Sequence, residues 1–216
     1  MIISSGLIML KIAIEDSNAF YKHGFELFLE KIFFHAEKYS IEVESLTKQN
    51  VLQADVIVKE FNAGAQFLCH PALKFRRRPG LIVGIYDGKK NLHHNGLPLC
   101  IKDVVFISRS ESLHSISEKI FIAWKDVKAN PILSHSGKCL QCKFHNLTPQ
   151  QILIAKSLLR GNDIFRISQQ LGLNIKAVSS HKRMIMRKFG LKSDCELLIF
   201  LKIFKKSDHP ISLFDS

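Results

Sequence analysis

The chain has 216 residues, 46% of them hydrophobic and 23% charged, with a formal net charge of +12. That length holds one large domain or two small ones, and the apolar share excludes a disordered or low-complexity chain. Five cysteines, an odd number in a chain long enough to build a core unaided, point to a reducing compartment rather than a disulfide framework.

The opening stretch from Met1 to Leu10 is apolar but lacks a basic lead and runs into Lys11 and the Glu15-Asp16 pair. It reads as the approach to a first strand, not as a signal peptide. No apolar run reaches the roughly 18 residues of a membrane span, so a cytoplasmic protein without a membrane partner is expected. Leu10-Lys-Ile-Ala-Ile14 is the first strand, and Ser17 the N-cap of the helix that follows. In that helix Phe20, Gly24, Leu27, Phe28, Lys31 and Ile32 recur at three-to-four spacing, with Phe25 and Leu29 widening the stripe. Ile41-Glu-Val-Glu-Ser45 alternates like a half-buried strand. Asp55-Val-Ile-Val-Lys-Glu60, Leu81-Ile-Val-Gly-Ile-Tyr86 and Val104-Val-Phe-Ile-Ser108 read as buried parallel strands, and Ser112 to Trp124 as a closing helix. Strands alternating with helical stretches predict a doubly wound α/β domain over residues 1–125. Residues 60–80, which include Arg76-Arg-Arg78, show no clear helix. The three arginines read as a solvated loop, the alternative being an extra nucleic-acid contact.

Between 126 and 145 the pattern dissolves into a linker. His135, Cys139, Cys142 and His145 are all zinc-capable, and a C-x2-C pair suits thiolate chelation. Structural zinc sites draw their pairs from more separated segments, however, so a linker without bound metal is preferred, and no cofactor is expected. A zinc- or thiol-responsive regulator stays as an alternative. Cys69, Cys100 and Cys195 lie in or beside apolar stretches and read as inert core thiols.

Residues 146–216 predict an all-α domain of four helices. Thr148-Pro149-Gln150-Gln151 combines a hydroxyl cap, Pro at the first helical position and Gln at the third. Asp163, Asn174 and Ser193 cap the next three helices, and Gly161, Gly172 and Gly190 separate them. This segment holds twelve Lys and Arg against five Asp and Glu, whereas the first 124 residues are close to neutral. A basic helical module beside a near-neutral one suits a nucleic-acid binder with a separate partner domain. Two short helices joined across a glycine, the second rich in basic and hydroxyl groups, is the layout of a helix-turn-helix.

Wound at 3.6 residues per turn, Lys176, Ser179, Ser180, Arg183 and Arg187 share one face of that second helix. Val178, Ile185 and Phe189, with His181, fall on the opposing side, where a core is expected. Small hydroxyls allow close approach to a groove floor, and Arg bonds guanine edges or phosphates. Lys182 and Lys188 flank the face and suit phosphates. His181 invites a catalytic reading, but a histidine on a packing face serves more often in a core or at a phosphate. No phosphate-cradling glycine loop, nucleophile elbow or metalloprotease helix is present, so an enzyme is not expected.

These residues resemble the LuxR/FixJ-type helix-turn-helix regulators. The resemblance runs through Leu147-Thr-Pro-Gln-Gln-Ile-Leu153, Leu158-Leu-Arg-Gly161, Ile167-Ser-Gln-Gln-Leu171, Lys176-Ala-Val-Ser-Ser-His-Lys182, Met186-Arg-Lys-Phe-Gly-Leu191 and Glu196-Leu-Leu198, about a third of the chain. It implies that the third helix enters the DNA major groove and that the fourth serves in dimerisation. Two positions depart from the pattern: Gln151 replaces an acidic residue, and Ala177 a hydroxyl.

The N-terminal part is similar to a degenerate response-regulator receiver. Such domains carry an acidic pair after the first strand, matched by Glu15-Asp16, and a phosphate-accepting Asp at the end of the third, where Glu60 stands. Ser108-Arg109 falls where a Lys is usual. With acceptor and Lys both replaced, the set that would hold Mg²⁺ and a phosphoryl group is incomplete, and no phosphorylation is expected. Glu15, Asp16 and Glu60 then form either a remnant acidic pocket that fixes one conformation or ordinary strand-end carboxylates. Phe106-Ile-Ser-Arg-Ser-Glu-Ser-Leu113 and Val178-Ser-Ser-His-Lys182 are similar to motifs of the Rcs-type accessory activators. The resemblance implies a regulator, expected to be an activator, that binds double-stranded DNA as a homodimer or as a heterodimer with a response regulator. The alternative is a protein that acts mainly through heterodimerisation.

Overall fold

The computed structural model describes residues 8–70, 72–76, 80–88, 97–101, 104–129 and 147–206. The chain divides into two compact units. One comprises Met1–Glu60, Ala72–His94 and Leu99–Leu140, and the other Phe61–Pro71, Asn95–Pro98 and Gln141–Ser216. An eleven-residue stretch that directly follows a strand of the first unit thus groups with the C-terminal helices.

The first unit is an α/β domain built on a five-stranded parallel sheet of order β2-β1-β3-β4-β5. Its strands are β1 (Met9–Glu15), β2 (Ser40–Ser45), β3 (Val56–Glu60), β4 (Leu81–Tyr86) and β5 (Val104–Ser108). The period-two alternation of side chains sends Leu10, Ile12, Ile14, Val56, Val58, Leu81, Val83, Ile85 and Ile107 to one face. There they meet helices α1 (Ala19–Glu37) and α2 (Leu113–Ala129) through Phe25, Leu29, Phe33, Ile116, Ile120 and Trp124. Phe33 and Trp124 pack edge-on, with ring centroids 5.6 Å apart, the arrangement favoured by the ring quadrupoles. Ala13, Ile57, Ile82 and Phe106 are buried on the opposite face. Among the described residues, the connections from β2 to β5 carry only short 3-10 turns.

Three local expectations are corrected. The N-cap of α1 is Asn18, whose side chain accepts from the Tyr21 N–H at 3.0 Å, rather than Ser17. The helix turns inward through Phe25, Leu29 and Phe33; Phe20 is 93% exposed and Leu27 55%. Apolar residues cover so wide an arc of this helix that period alone selects no single stripe. Arg76, expected in solvent, is buried and donates from Nη1 to the Gly80 carbonyl at 2.7 Å.

The second unit holds α3 (Pro149–Leu159), α4 (Ile164–Leu171), α5 (Ile175–Lys188) and α6 (Asp194–Lys206). Ile154, Ile167 and Val178 form one small core where the first three of these helices meet. A second core gathers Leu147, Ala155, Ile185, Phe189, Leu191, Leu197, Phe200, Leu201 and Phe204, together with Leu68 from the inserted stretch. Among the described residues, no helix is long and apolar enough to cross a membrane.

Candidate nucleic-acid interface

The helix pair is set by its caps. Asp163 accepts from the Arg166 N–H at 2.7 Å and starts α4. Gly172 ends it at φ 62, donating back to Gln169 and Ser168, and the Leu173 N–H reaches the Ser168 carbonyl at 2.9 Å. This left-handed position favours glycine, and it lets the chain reverse sharply enough for the next helix to begin three residues later. Asn174 then accepts from the Lys176 N–H at 2.8 Å and starts α5. Upstream, Thr148 and Gln151 form the reciprocal capping box over α3.

Val178, Ile185 and Phe189 are fully buried, which fixes the rotation of α5. Lys176, Ser180, Arg183 and Arg187 consequently lie exposed along its outer face, with Ser179 and Lys188 half-buried at the margins. Arg183 lies along its own helix, donating from Nε to the Ser179 carbonyl at 3.3 Å. Lys182 is differently placed: its Nζ lies 2.6 Å from Asp194 Oδ2, and its side chain is only 16% exposed. His181 is half-buried, and its Nδ1 has no hydrogen-bond partner among the described residues. Exposed Ile175 and Met184 lie at the borders of the polar face and were not singled out by the sequence pattern. An exposed Met inside a helix of core-like period gives no signal of its own. The C-terminal turn of α5 carries Arg187 and Lys188, where the helix dipole favours cations.

The predicted acidic pocket divides. Glu15 turns away to pair with Lys59 at 2.5 Å and is an ordinary strand-end carboxylate. Asp16 and Glu60 do converge, but around Arg109, which stands where the receiver pattern has a Lys. Arg109 places Nη2 at 2.9 and 2.8 Å from the two Asp16 oxygens and 3.3 Å from Glu60, with Nε 3.3 Å from Asp87. Its guanidinium carbon lies 4.1 Å from the centroid of the Tyr21 ring, a cation–π contact. Burial disfavours the Arg109 charge, but Asp16, Glu60 and Asp87 outweigh it and hold the guanidinium above its ordinary range. Burial likewise opposes the Glu60 charge, yet the bonds from Ser17 and the neighbouring Arg109 leave its carboxyl below the usual range. A fixed cation thus sits among the carboxylates, and Arg109 and Asp87 join the site by position rather than by motif.

His135, Cys139, Cys142 and His145 lie outside the described residues; among the described ones, no His, Cys, Asp and Glu group could hold a metal ion. Cys69 and Cys100 are buried as expected, but Cys195 is exposed in the first turn of α6. Its neighbours on the buried side, Leu197 and Phe200, turn it outward.

Residues 145–201 match the family model for bacterial regulatory proteins of the luxR family. The chain is 28% identical over 140 residues to the transcriptional activator protein BglJ of Escherichia coli, covering 64% of this chain and 60% of that protein. The chain therefore spans less than two thirds of this relative's length. It is 22% identical over 204 residues to the Fimbriae W protein of Salmonella typhimurium, covering 90% and 96% of the two chains. In fold it is similar to the response regulator RcsB in a DNA complex, with a TM-score of 0.55, 17% identity, and 89% and 98% of the two chains covered. It is likewise similar to RcsB of Salmonella enterica serovar Typhimurium, with a TM-score of 0.53, 16% identity, and 89% and 97% covered. The parallel sheet with its flanking helices is accordingly receiver-like.

Proposed function

Residues 145–201 are a LuxR-family helix-turn-helix domain, and from that premise we propose that this chain is a sequence-specific activator of transcription that works without phosphorylation. The observation that carries the reading is the two-sidedness of α5. One face is sealed into the core by Val178, Ile185 and Phe189, and the other presents Lys176, Ser180, Arg183 and Arg187 to solvent. A helix so mounted enters a major groove with its hydroxyls close to base edges and its cations near phosphates. Ser179, Ser180 and Arg183 read bases, while Lys176, Lys182, Arg187 and Lys188 hold the backbone. The protein acts as a dimer, either of two copies or with a second response regulator, on half-sites about 10 bp apart. The exposed Leu198 and Ile199 of α6 are apolar residues such a pairing would cover. The name of the Escherichia coli relative supports activation.

Phosphorylation independence rests on the acidic corner. The carboxylates that would gather a divalent ion are already shared by the guanidinium of Arg109, and Glu60 stands at the acceptor position. The test has two arms. Duplexes selected from a randomised pool should bind at nanomolar concentration and leave a protected footprint; equal affinity for selected and random duplexes overturns the reading. Incubation with a small phosphodonor and Mg²⁺ should leave the intact mass unchanged, and a phosphoryl adduct on Glu60 or Asp16 overturns the second claim.

A further inference from the structure

Glu60 closes β3, with its carboxylate bonded by the Ser17 N–H at 3.1 Å and by Arg109. The next residue, Phe61, already belongs to the C-terminal unit. Over residues 61–70 the chain is a folded piece rather than an open loop. The Ala65 N–H bonds the Asn62 carbonyl at 2.9 Å, Phe67 bonds Gly64 at 3.1 Å and Leu68 bonds Ala65 at 3.0 Å. His70 Nε2 lies 2.9 Å from the Ala65 carbonyl, and its ring meets Phe61 edge-on at 5.0 Å.

This piece fits one surface closely. Leu68 is 1% exposed and shares a core with Phe189, Leu191, Leu197 and Phe200, with Ala63 and Phe67 packed against it. Gly64, at φ +80, presses its bare backbone on the same place. A Cβ there would lie 2.8 Å from Phe200 Cδ2, 3.0 Å from Leu191 Cδ2 and 3.2 Å from the Phe189 carbonyl. Phe189 caps α5, the helix proposed to read DNA, and its ring stacks 4.3 Å from Phe200 of α6. The segment therefore covers the joint between those two helices. Gln66 buries its side-chain oxygen without a partner among the described residues, a desolvation cost carried only while docked. The docked state is closely fitted, but not without an opposing cost.

We propose that the stretch 61–70 is a clasp: an internal segment that completes the core of the DNA-binding unit and makes its DNA affinity answer to the charge arrangement at Glu60. The chain link is immediate, since the residue held by Arg109 and the first residue of the clasp are adjacent. The affinity part rests on the DNA-binding reading above; the docking part does not.

Hydrogen exchange on the full chain tests the docking part. Gly64→Val, strained in φ and sterically excluded, and the milder Leu68→Ala should both speed exchange at residues 65–68 and 197–204 by about tenfold, leaving β1, β3 and β4 protected. Unchanged exchange in α6 overturns the clasp, as does loosening confined to the sheet. Fluorescence titration with a duplex selected by the unmodified protein tests the coupling. Arg109→Gln, with Arg109→Lys as the variant that keeps the charge, should change affinity about fivefold or more with the clasp intact. In the Leu68→Ala background the change should shrink to less than about twofold. Equal changes in both backgrounds overturn the coupling. If the unmodified chain binds no selected duplex, the DNA-binding reading and the coupling fall together, while exchange still decides where the clasp docks.

Discussion

Arg109 shows how one side chain can replace a set of chemical functions. Asp16 has a side chain with no exposed surface and gives both of its oxygens to this guanidinium. Removing the cation leaves a buried carboxylate without its counter-charge, and breaking such a pair from one side costs about 3 kcal/mol or more. Arg109→Ala should therefore lower the urea midpoint of the first unit markedly, while Arg109→Lys, which keeps a charge, should lose less. The Glu60 carboxyl is held below its ordinary 4.5, so the folded state releases its proton more readily than the unfolded one. Its contribution is present above about pH 4.5 and disappears as pH falls through the lower folded value. Glu60→Gln should flatten that part of a stability–pH curve, and an unchanged acid limb would refute the assignment. On α5, Arg183→Ala should cost about 1–3 kcal/mol on a selected duplex and much less on a random one if Arg183 meets a base. Equal losses on both duplexes would make it a phosphate contact instead.

At the scale of elements, the caps explain why the helix-turn-helix was legible. Thr148 with Gln151, Asp163, Gly172 and Asn174 act on backbone groups within a few residues, so their sequence spacing carries the geometry. Asn174→Ala should cost about 1 kcal/mol, read as a lower thermal midpoint of the C-terminal unit, with weaker DNA binding because Lys176 and Ser180 follow directly from that cap. The five strands were legible for a similar reason, since buried parallel strands read as continuous apolar runs. What escaped was non-local. The rotation of α1 depends on which of its many apolar residues the sheet accepts, and Phe20 against Phe25 is not decided by period. The Arg109 cluster joins residues from the ends of β1 and β3 with two that follow β4 and β5. The destination of residues 61–70 is set by the apolar packing of Leu68 and Gly64 against Leu191 and Phe200, which no local pattern announces.

For the molecule as a whole, the net charge of +12 lies mostly in the last third of the chain, so association with DNA should be governed by counterion release. Affinity should fall linearly on a double-logarithmic salt plot, and each phosphate contact removed should reduce the slope by about 1. Lys176→Ala and Arg187→Ala are expected to do this. Lys182 is different, because Asp194 already holds its ammonium at 2.6 Å with the lysine largely covered. DNA must compete with that carboxylate, so Lys182→Ala should alter the slope less than Lys176→Ala does. Asp194→Asn removes the competitor and one negative charge at the start of α6. It should strengthen binding at low salt, steepen the salt dependence, and make a later Lys182→Ala substitution as damaging as the others. If Asp194→Asn instead weakens binding while the thermal midpoint holds, the pair orients Lys182 toward the backbone rather than restraining it, and the proposed competition is wrong.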